Sequence, residues 1–247
     1  MLTTADYAKA TANSANNFTL KNAAGDRIAF TASATPDGSA QFTQGGTIDY
    51  LSPSILSLLG NTPLYLRTEP GANVSAGTYT DTLTLNWDWS ICTGIAISGL
   101  CLGRDRGTGT STVQISLVVT NDCRVSVPEI IFGAAAFPAD FSPVNHRFQI
   151  SCTKGTIYYV GIDSGDHPSG GRRQMVGSNS ANKLQYDIFN SQTNQLWTDT
   201  VAGRVSAIGD GNQTPSQNFP FRASIYADQP AQPAGIYKDQ VRVNVYF

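Results

Sequence analysis

The residues of this 247-residue chain with the potential for chemistry are four cysteines, two histidines and one short acidic–serine–histidine cluster. Cys92, Cys101, Cys123 and Cys152 contain no C-x-x-C pair, and His146 and His167 are the only histidines, so a zinc site lacks both its spacing and its ligand supply. An even cysteine count with these spacings reads instead as disulfides formed in an oxidising compartment. Asp163-Ser164-Gly165-Asp166-His167 holds the residue types of a hydrolase triad. Triads, however, are assembled from separate elements with the nucleophile on a strained turn, so this segment reads as a polar inter-strand loop. Gly170-Gly171-Arg172-Arg173 has anion-binding residue types, but no helix follows to offer its amides. No pair of carboxylates stands out for glycoside hydrolysis. The chain is therefore read as no enzyme, with no catalytic residue, no metal and no cofactor.

The composition narrows the remaining classes. Charged residues make up 14%, with 16 Lys and Arg against 18 Asp and Glu, and the net charge of −2 leaves no basic surplus for nucleic acid or an anionic membrane surface. No apolar run approaches the roughly 18 residues of a membrane helix, and 40% hydrophobic content argues against disorder. Met1-Leu2-Thr3-Thr4-Ala5-Asp6-Tyr7 lacks the basic and apolar regions of a signal peptide. A disulfide-bonded, exported chain without an export signal is expected to begin partway into its gene product, with Met1 an internal methionine.

The elements that position these residues follow a period of two. Val113, Ile115, Leu117 and Val119 alternate with polar residues, as do Val241, Val243 and Val245, and Leu83, Leu85 and Trp87. Such alternation of β-branched and aromatic residues marks half-buried strands. Turn clusters such as Asn22–Asp26, Pro36–Gly38, Gly170–Gly171 and Asp210–Asn212 separate them. Many short strands between Gly- and Asn-rich turns predict β-sandwiches. A repeat sets the domain count: Ala76-Gly77-Thr78-Tyr79-Thr80-Asp81 and the alternating strand after it recur without a gap from Ala234-Gly235-Ile236-Tyr237-Lys238-Asp239. A weaker echo relates Phe18–Leu20 and Ile28–Phe30 to Tyr186–Ile188 and Leu196–Trp197. Two related β-domains are expected, 1–120 and 121–247. The first continues past its repeat into the strand Thr110–Thr120, whereas the second stops at Phe247. The first has few residues ahead of Phe18, so its opening strands are expected to be missing, with Met1 placed where the second copy has Met175.

Cys123-Arg-Val-Ser-Val-Pro-Glu-Ile-Ile-Phe-Gly133, Ile150-Ser-Cys152-Thr-Lys-Gly-Thr-Ile-Tyr-Tyr-Val160, Gly170-Gly-Arg-Arg-Gln-Met175, Leu184-Gln-Tyr-Asp-Ile-Phe189 and Ala234-Gly-Ile-Tyr-Lys-Asp239 together resemble the spore coat protein U family. That family supplies subunits of archaic, Csu-type chaperone–usher pili, and a two-domain member with a pilin-like C-terminal domain resembles the tip adhesin. The resemblance implies an all-β fold of two immunoglobulin-like sandwiches, the C-terminal one an incomplete pilin fold lacking its last strand. A partner lends that strand by donor-strand complementation. The implied groove lies along Val241, Val243, Val245 and Phe247. The implied partners are a periplasmic pilus chaperone, an outer-membrane usher and an adjacent pilin subunit, and the implied location is the pilus tip at the cell surface. The resemblance also implies the pair Cys123–Cys152, which leaves Cys92–Cys101.

Two apolar stretches have no place in such a sandwich. The segment 88–107 reads as a loop in which Cys92 and Cys101 enclose Ile95, Ile97 and Leu100. Ile55, Leu56, Leu58 and Leu59 lie in a long connection, 34–62. Each is either folded back onto a core or exposed as a binding finger. Strands at 63–68, 78–87 and 110–120 running alternately up and down place both at the end of the first domain away from Thr120. There they would meet hydrophobic or abiotic surfaces, in keeping with the resemblance. The alternative role is a secreted structural subunit of a coat or fibre.

Overall fold

β-Branched and aromatic residues at alternating positions build almost every element. The computed structural model describes residues 5–52, 62–97, 100–178 and 181–247. The chain divides into two compact units, Met1–Thr120 and Asn121–Phe247. Both are immunoglobulin-like β-structures.

The first unit contains β1 (Tyr7–Ser14), β2 (Thr19–Lys21), β3 (Arg27–Ser33), β4 (Thr47–Asp49), β5 (Tyr65–Thr68), β6 (Gly77–Ile97) and β7 (Leu100–Val119). They hydrogen-bond in the order β4-β1-β6-β2-β3-β5, with β7 on the other side of β6. Ala10 and Ala12 of β1, Ile28 and Phe30 of β3, and Tyr79, Leu83 and Leu85 of β6 bury one common core. Val113, Ile115, Leu117 and Val119 of β7 pack half-buried against it. The unit thus carries its own last strand, paired from Gly77 opposite Val119 along the whole of β6.

The second unit contains β8 (Cys123–Ser126), β9 (Val144–Cys152), β10 (Ile157–Ile162), β11 (Arg173–Val176), β12 (Lys183–Asn190), β13 (Val205–Ile208), β14 (Gln217–Ile225) and β15 (Val243–Tyr246). One sheet runs β11-β12-β14-β9-β8 and the other β13-β10-β15. Their inner faces meet around Trp197, Phe148, Phe219 and Phe221. Arg173, buried among these strands, donates to the Asp187 carboxylate at 2.8 Å and to the carbonyls of Ile162, Asp163 and Trp197. All three of its guanidinium nitrogens donate, as a buried charge requires.

The repeated motif does the same work in both units. Tyr79 donates its hydroxyl proton to the Ser75 carbonyl at 2.6 Å, and Tyr237 to the Pro233 carbonyl at 2.7 Å. This is the tyrosine corner of immunoglobulin-like folds, which locks the entry to the penultimate strand. Asp81 accepts from the Asn16 amide, two residues past β1, while Asp239 accepts from the Asp166 amide beyond β10. β1 pairs with β6 as β10 pairs with β15, both antiparallel. β1 is therefore the counterpart of β10. Met1, expected beside the counterpart of Met175, instead precedes that of β10, because only a short turn separates β1 from β2. Among the described residues of the first unit, no strand corresponds to β8 or β9.

The segment 88–107, expected as a loop, is mostly strand. β6 and β7 stay paired far beyond the sandwich, from Trp87 opposite Gly109 to Ile97 opposite Leu100. Glycine in this segment makes room for a side chain of the facing strand. A Cβ on Gly107 would lie 2.4 Å from the Trp89 ring, so its absence lets the indole cross the partner strand. β1 begins at Tyr7, opposite Ser90, and among the described residues no other strand pairs with the ribbon over the roughly 20 Å beyond it.

Candidate functional site

The free end of the ribbon carries four aliphatic side chains. Ile95 is 67% exposed, Ile97 59%, Leu100 69% and Leu102 61%. Ile95 stands opposite Leu102 and Ile97 opposite Leu100, so alternation places all four on one face. Ile95, Ile97 and Leu100 are the residues expected from sequence, and Leu102 was missed, although it continues the i, i+2 series from Leu100. Ile55, Leu56, Leu58 and Leu59 lie outside the described residues.

An isolated two-stranded ribbon is marginal in water, and two devices brace this one. A disulfide joins Cys92 to Cys101. At the base, the buried Asp6 carboxylate accepts from the Cys92 amide at 3.1 Å and from the Arg104 guanidinium at 2.8 Å. Arg104 reaches on to the Ser90 hydroxyl at 3.0 Å. Both strands of the ribbon are thereby tied to the start of β1.

The second feature is an open side of the second unit. The segments 122–137 and 232–247 border it without pairing to each other. A hollow of about 760 Å³ lies between Ile130, Phe132 and Phe141 on one side and Ile236 and Tyr237 on the other, floored by Met175, Leu184 and Ile225. A smaller hollow of about 420 Å³ lies between Asp122, Cys123 and Val125 and the stretch Val243–Phe247. Ile131, Phe137 and Ile236 are exposed around the opening. Cys123, bonded to Cys152, fixes β8 to β9 at one end.

The expected groove residues occupy only part of this opening. Val241, Val243 and Val245 pack half-buried against the core, and Val243, Val245 and Phe247 line the smaller hollow. The strand itself is shorter than expected, running only from Val243 to Tyr246. The larger hollow draws on β11, β12 and β14 and on the irregular stretch after β8, an assembly with no local signature. The Ile130-x-Phe132 alternation and the Tyr237 of the repeat were the available hints.

The acidic–serine–histidine segment has no triad geometry. Asp163 and Asp166 are bound by the Arg242 guanidinium at 3.2 and 3.0 Å, and Asp163 also accepts from the Gly165 and Arg242 amides. His167 faces Asp239 at 3.6 Å. Burial pushes the Tyr186 phenol up, and the Asp239 carboxylate that accepts its proton at 2.7 Å reinforces the shift. Among the described residues, no group of three or more His, Cys, Asp or Glu could hold a metal ion.

Two immunoglobulin-like units share the A-G-x-Y strand, covered by β7 in the first unit and, among the described residues, unpaired along one edge in the second. The chain belongs to the Spore Coat Protein U domain family, which matches residues 3–86 and 109–244. The matched stretches leave out 87–108, which is the distal ribbon. Among solved structures, the chain is similar to the CsuC–CsuE chaperone–tip adhesion subunit pre-assembly complex of archaic chaperone–usher Csu pili of Acinetobacter baumannii. Identity there is 24%, over 98% of this chain and 84% of that one, with a TM-score of 0.65. A chaperone–tip adhesin complex of CFA/I fimbriae biogenesis matches at 11% identity over 93% of this chain and 73% of that one, with a TM-score of 0.35. No curated protein matches the chain.

Proposed function

We propose that this chain is the tip adhesin of a chaperone–usher pilus. One observation carries the reading: the same A-G-x-Y strand is covered by β7 in the first unit and, among the described residues, unpaired along one edge in the second. A subunit with a self-completed first unit needs no partner there, while the open edge of the second demands one. A periplasmic chaperone fills that edge first, and the adjacent pilin subunit replaces it at the outer-membrane usher. The protein then stands at the cell surface with the ribbon outermost. No step of this role involves catalysis.

The aliphatic tip is the adhesive element, and its target is a hydrophobic or abiotic surface on which biofilm can start. Each aliphatic side chain fully buried contributes roughly 1.5–3 kcal/mol, so the four supply on the order of 6–12 kcal/mol before the cost of association. The braced ribbon is held in place before contact, which lowers that cost. Apolar transfer needs no particular ligand, so attachment persists in high salt and in free sugars. The test is Ile95→Asn with Ile97→Asn in the full-length protein. Attachment to polystyrene is lost while pili still assemble. Undiminished attachment by assembled mutant pili would assign the chain to the structural role in a coat or fibre instead.

A further inference from the structure

We infer that Trp89 is the positioning residue of the ribbon: its indole lies lengthwise along β7 and splints the two strands where β1 ceases to support them. The inference rests on the adhesive reading of the tip. Trp89 stands opposite Ala8 of β1 on one side and Gly107 of β7 on the other. Only the pair Tyr7–Ser90 lies between it and the end of that support. Its Nε1 donates to the Asp105 carboxylate at 3.3 Å, on the tip side of Gly107. Its six-membered ring covers Gly107, where a Cβ would overlap it, and reaches Gly109, where a Cβ would touch it at 3.6 Å. Asp105, Gly107 and Gly109 are alternate residues of β7, so one rigid side chain spans about 13 Å of the facing strand. Trp87, two residues earlier, reaches the other way along β7. It packs on Tyr50 at 5.4 Å between ring centroids and donates to the Ser111 hydroxyl at 2.7 Å. Trp87 thus belongs to the core of the unit, and Trp89 to the ribbon.

The glycines beneath the indole explain why the ribbon needs it. Glycine weakens a strand, because it has no side chain to pack and loses more conformational freedom on ordering. Gly107 and Gly109 lack the left-handed φ of Gly103, so what they supply is room rather than a special backbone. An aromatic ring laid over such glycines replaces the cover they lack. The Asp6–Arg104 pair ties the strands to β1 at the foot, and the disulfide ties them to each other further out. Trp89 resists sliding and opening of one strand against the other, since its contacts on β7 are lost together if the register slips. A frayed ribbon presents its patch only in the closed fraction of molecules, so stiffness at the neck bears directly on attachment.

A compensating pair of substitutions tests the splint. Trp89→Thr uncovers Gly107, and Gly107→Thr drives the indole off its seat. The double variant sets two β-branched residues opposite each other as an ordinary cross-strand pair. Each is made in the full chain. Hydrogen exchange is read at residues 100–106 and, as a control for the core, at Arg27–Ser33 of β3. Tip-dependent attachment is the fraction of polystyrene binding in high salt that I95N/I97N loses. Either single substitution should speed exchange at 100–106 at least about tenfold, as losing one well-packed aromatic contact implies. Exchange in β3 should stay within about twofold, because the ribbon opens without the sandwich. Attachment should fall at least about threefold with the closed fraction. The double variant should recover both readouts to within about twofold of wild type. Four results would each overturn the inference: unchanged exchange at 100–106 in the single variants, an equal rise in β3, attachment retained by a loosened ribbon, or a double variant no better than the singles. Wild-type binding by I95N/I97N would instead overturn the adhesive reading, and exchange at 100–106 would then decide the splint alone.

Discussion

The Arg104 guanidinium donates to the Asp6 carboxylate at 2.8 Å across the foot of the ribbon, and the Asp6 side chain is only 1% exposed. The same carboxylate accepts the Cys92 amide, so one buried charge holds both strands at the point where β1 stops supporting them. Removing one partner of such a pair leaves the other uncompensated, which typically costs several kcal/mol. Asp6→Ala should destabilise the first unit by about 3 kcal/mol in chemical denaturation and raise hydrogen exchange at the Cys92 amide. An unchanged exchange rate at that amide would show that the ribbon is anchored elsewhere.

Much of this architecture is visible in the sequence. The alternation at Val113–Val119 and Leu83–Trp87 marks the strands, and the repeated A-G-x-Y marks two tyrosine corners. The distal ribbon is hidden because glycines, weak strand formers, punctuate 88–107. Gly107 clears space for Trp89, and Gly94 and Gly103 approach each other where the pairing shifts register between Cys92 and Ile95. The larger hollow is hidden for a different reason. Met175, Leu184 and Ile225 come together only after three strands assemble, and each by itself reads as ordinary core.

The two tyrosine corners should respond unequally to loss of the hydroxyl. Tyr79 is fully buried, and its oxygen also accepts from the Asn22 side chain at 2.9 Å. Tyr79→Phe leaves the half-buried Ser75 carbonyl without this donor and the Asn22 amide with the Ser75 hydroxyl as its acceptor, at a cost of about 1–2 kcal/mol. The Tyr237 bond is exposed, and water replaces it in Tyr237→Phe, where less than about 1 kcal/mol is expected. Denaturation of the two variants, followed by probes in each unit, measures both values. A larger loss in Tyr237→Phe would contradict the assignment.

Acid should weaken the second unit through Asp210. Partial burial pushes its carboxyl up, but the Ser151 and Ser216 hydroxyls and the Asn212 amides more than offset this and hold it at about 2, below the ordinary 3.8. The folded value lies below the unfolded one. Its stabilisation is therefore fully present above pH 3.8 and lost as pH falls through about 2. Asp210→Asn lacks this dependence. The stability gap between wild type and Asp210→Asn should be constant near neutrality and narrow across that interval, which chemical denaturation at stepped pH can follow. A gap that stays constant through the interval would exclude Asp210 as the titrating group.

Opening the Cys92–Cys101 disulfide should separate stability from attachment. It closes a loop with a sequence separation of 9, for which chain entropy predicts roughly 2.5–3 kcal/mol. The Asp6–Arg104 tie below it remains, so the ribbon should loosen only above Cys92. Cys92→Ser with Cys101→Ser should lower the first unit's denaturation midpoint and weaken binding to polystyrene, leaving the second unit's transition in place. Peptide mapping without reductant checks the pairing first, and any peptide joining Cys101 to Cys123 would refute it.

The first unit also indicates what a strand in the groove should do to the second. In β6, pairing begins at Gly77 because Val119 stands opposite it. Among the described residues, the matching stretch from Gly235 has the isolated bridge between Lys238 and Val176 and the Asp163 amide on the Arg242 carbonyl before β15 begins at Val243. Ile236 in this stretch is 71% exposed. A complementary strand would supply the missing partners and bury the hollow beside Tyr237. The peptide Thr110–Thr120 of this chain already performs that role on the homologous strand, with Val113, Ile115, Leu117 and Val119 turned to the core. Added in excess to the full chain, it should protect the amides of residues 235–247 from hydrogen exchange and raise the second unit's denaturation midpoint. A scrambled peptide of the same composition breaks the alternation and should do neither. Equal protection by both peptides would mean that the opening binds apolar chains without register, and that the edge of β15 is not a strand acceptor.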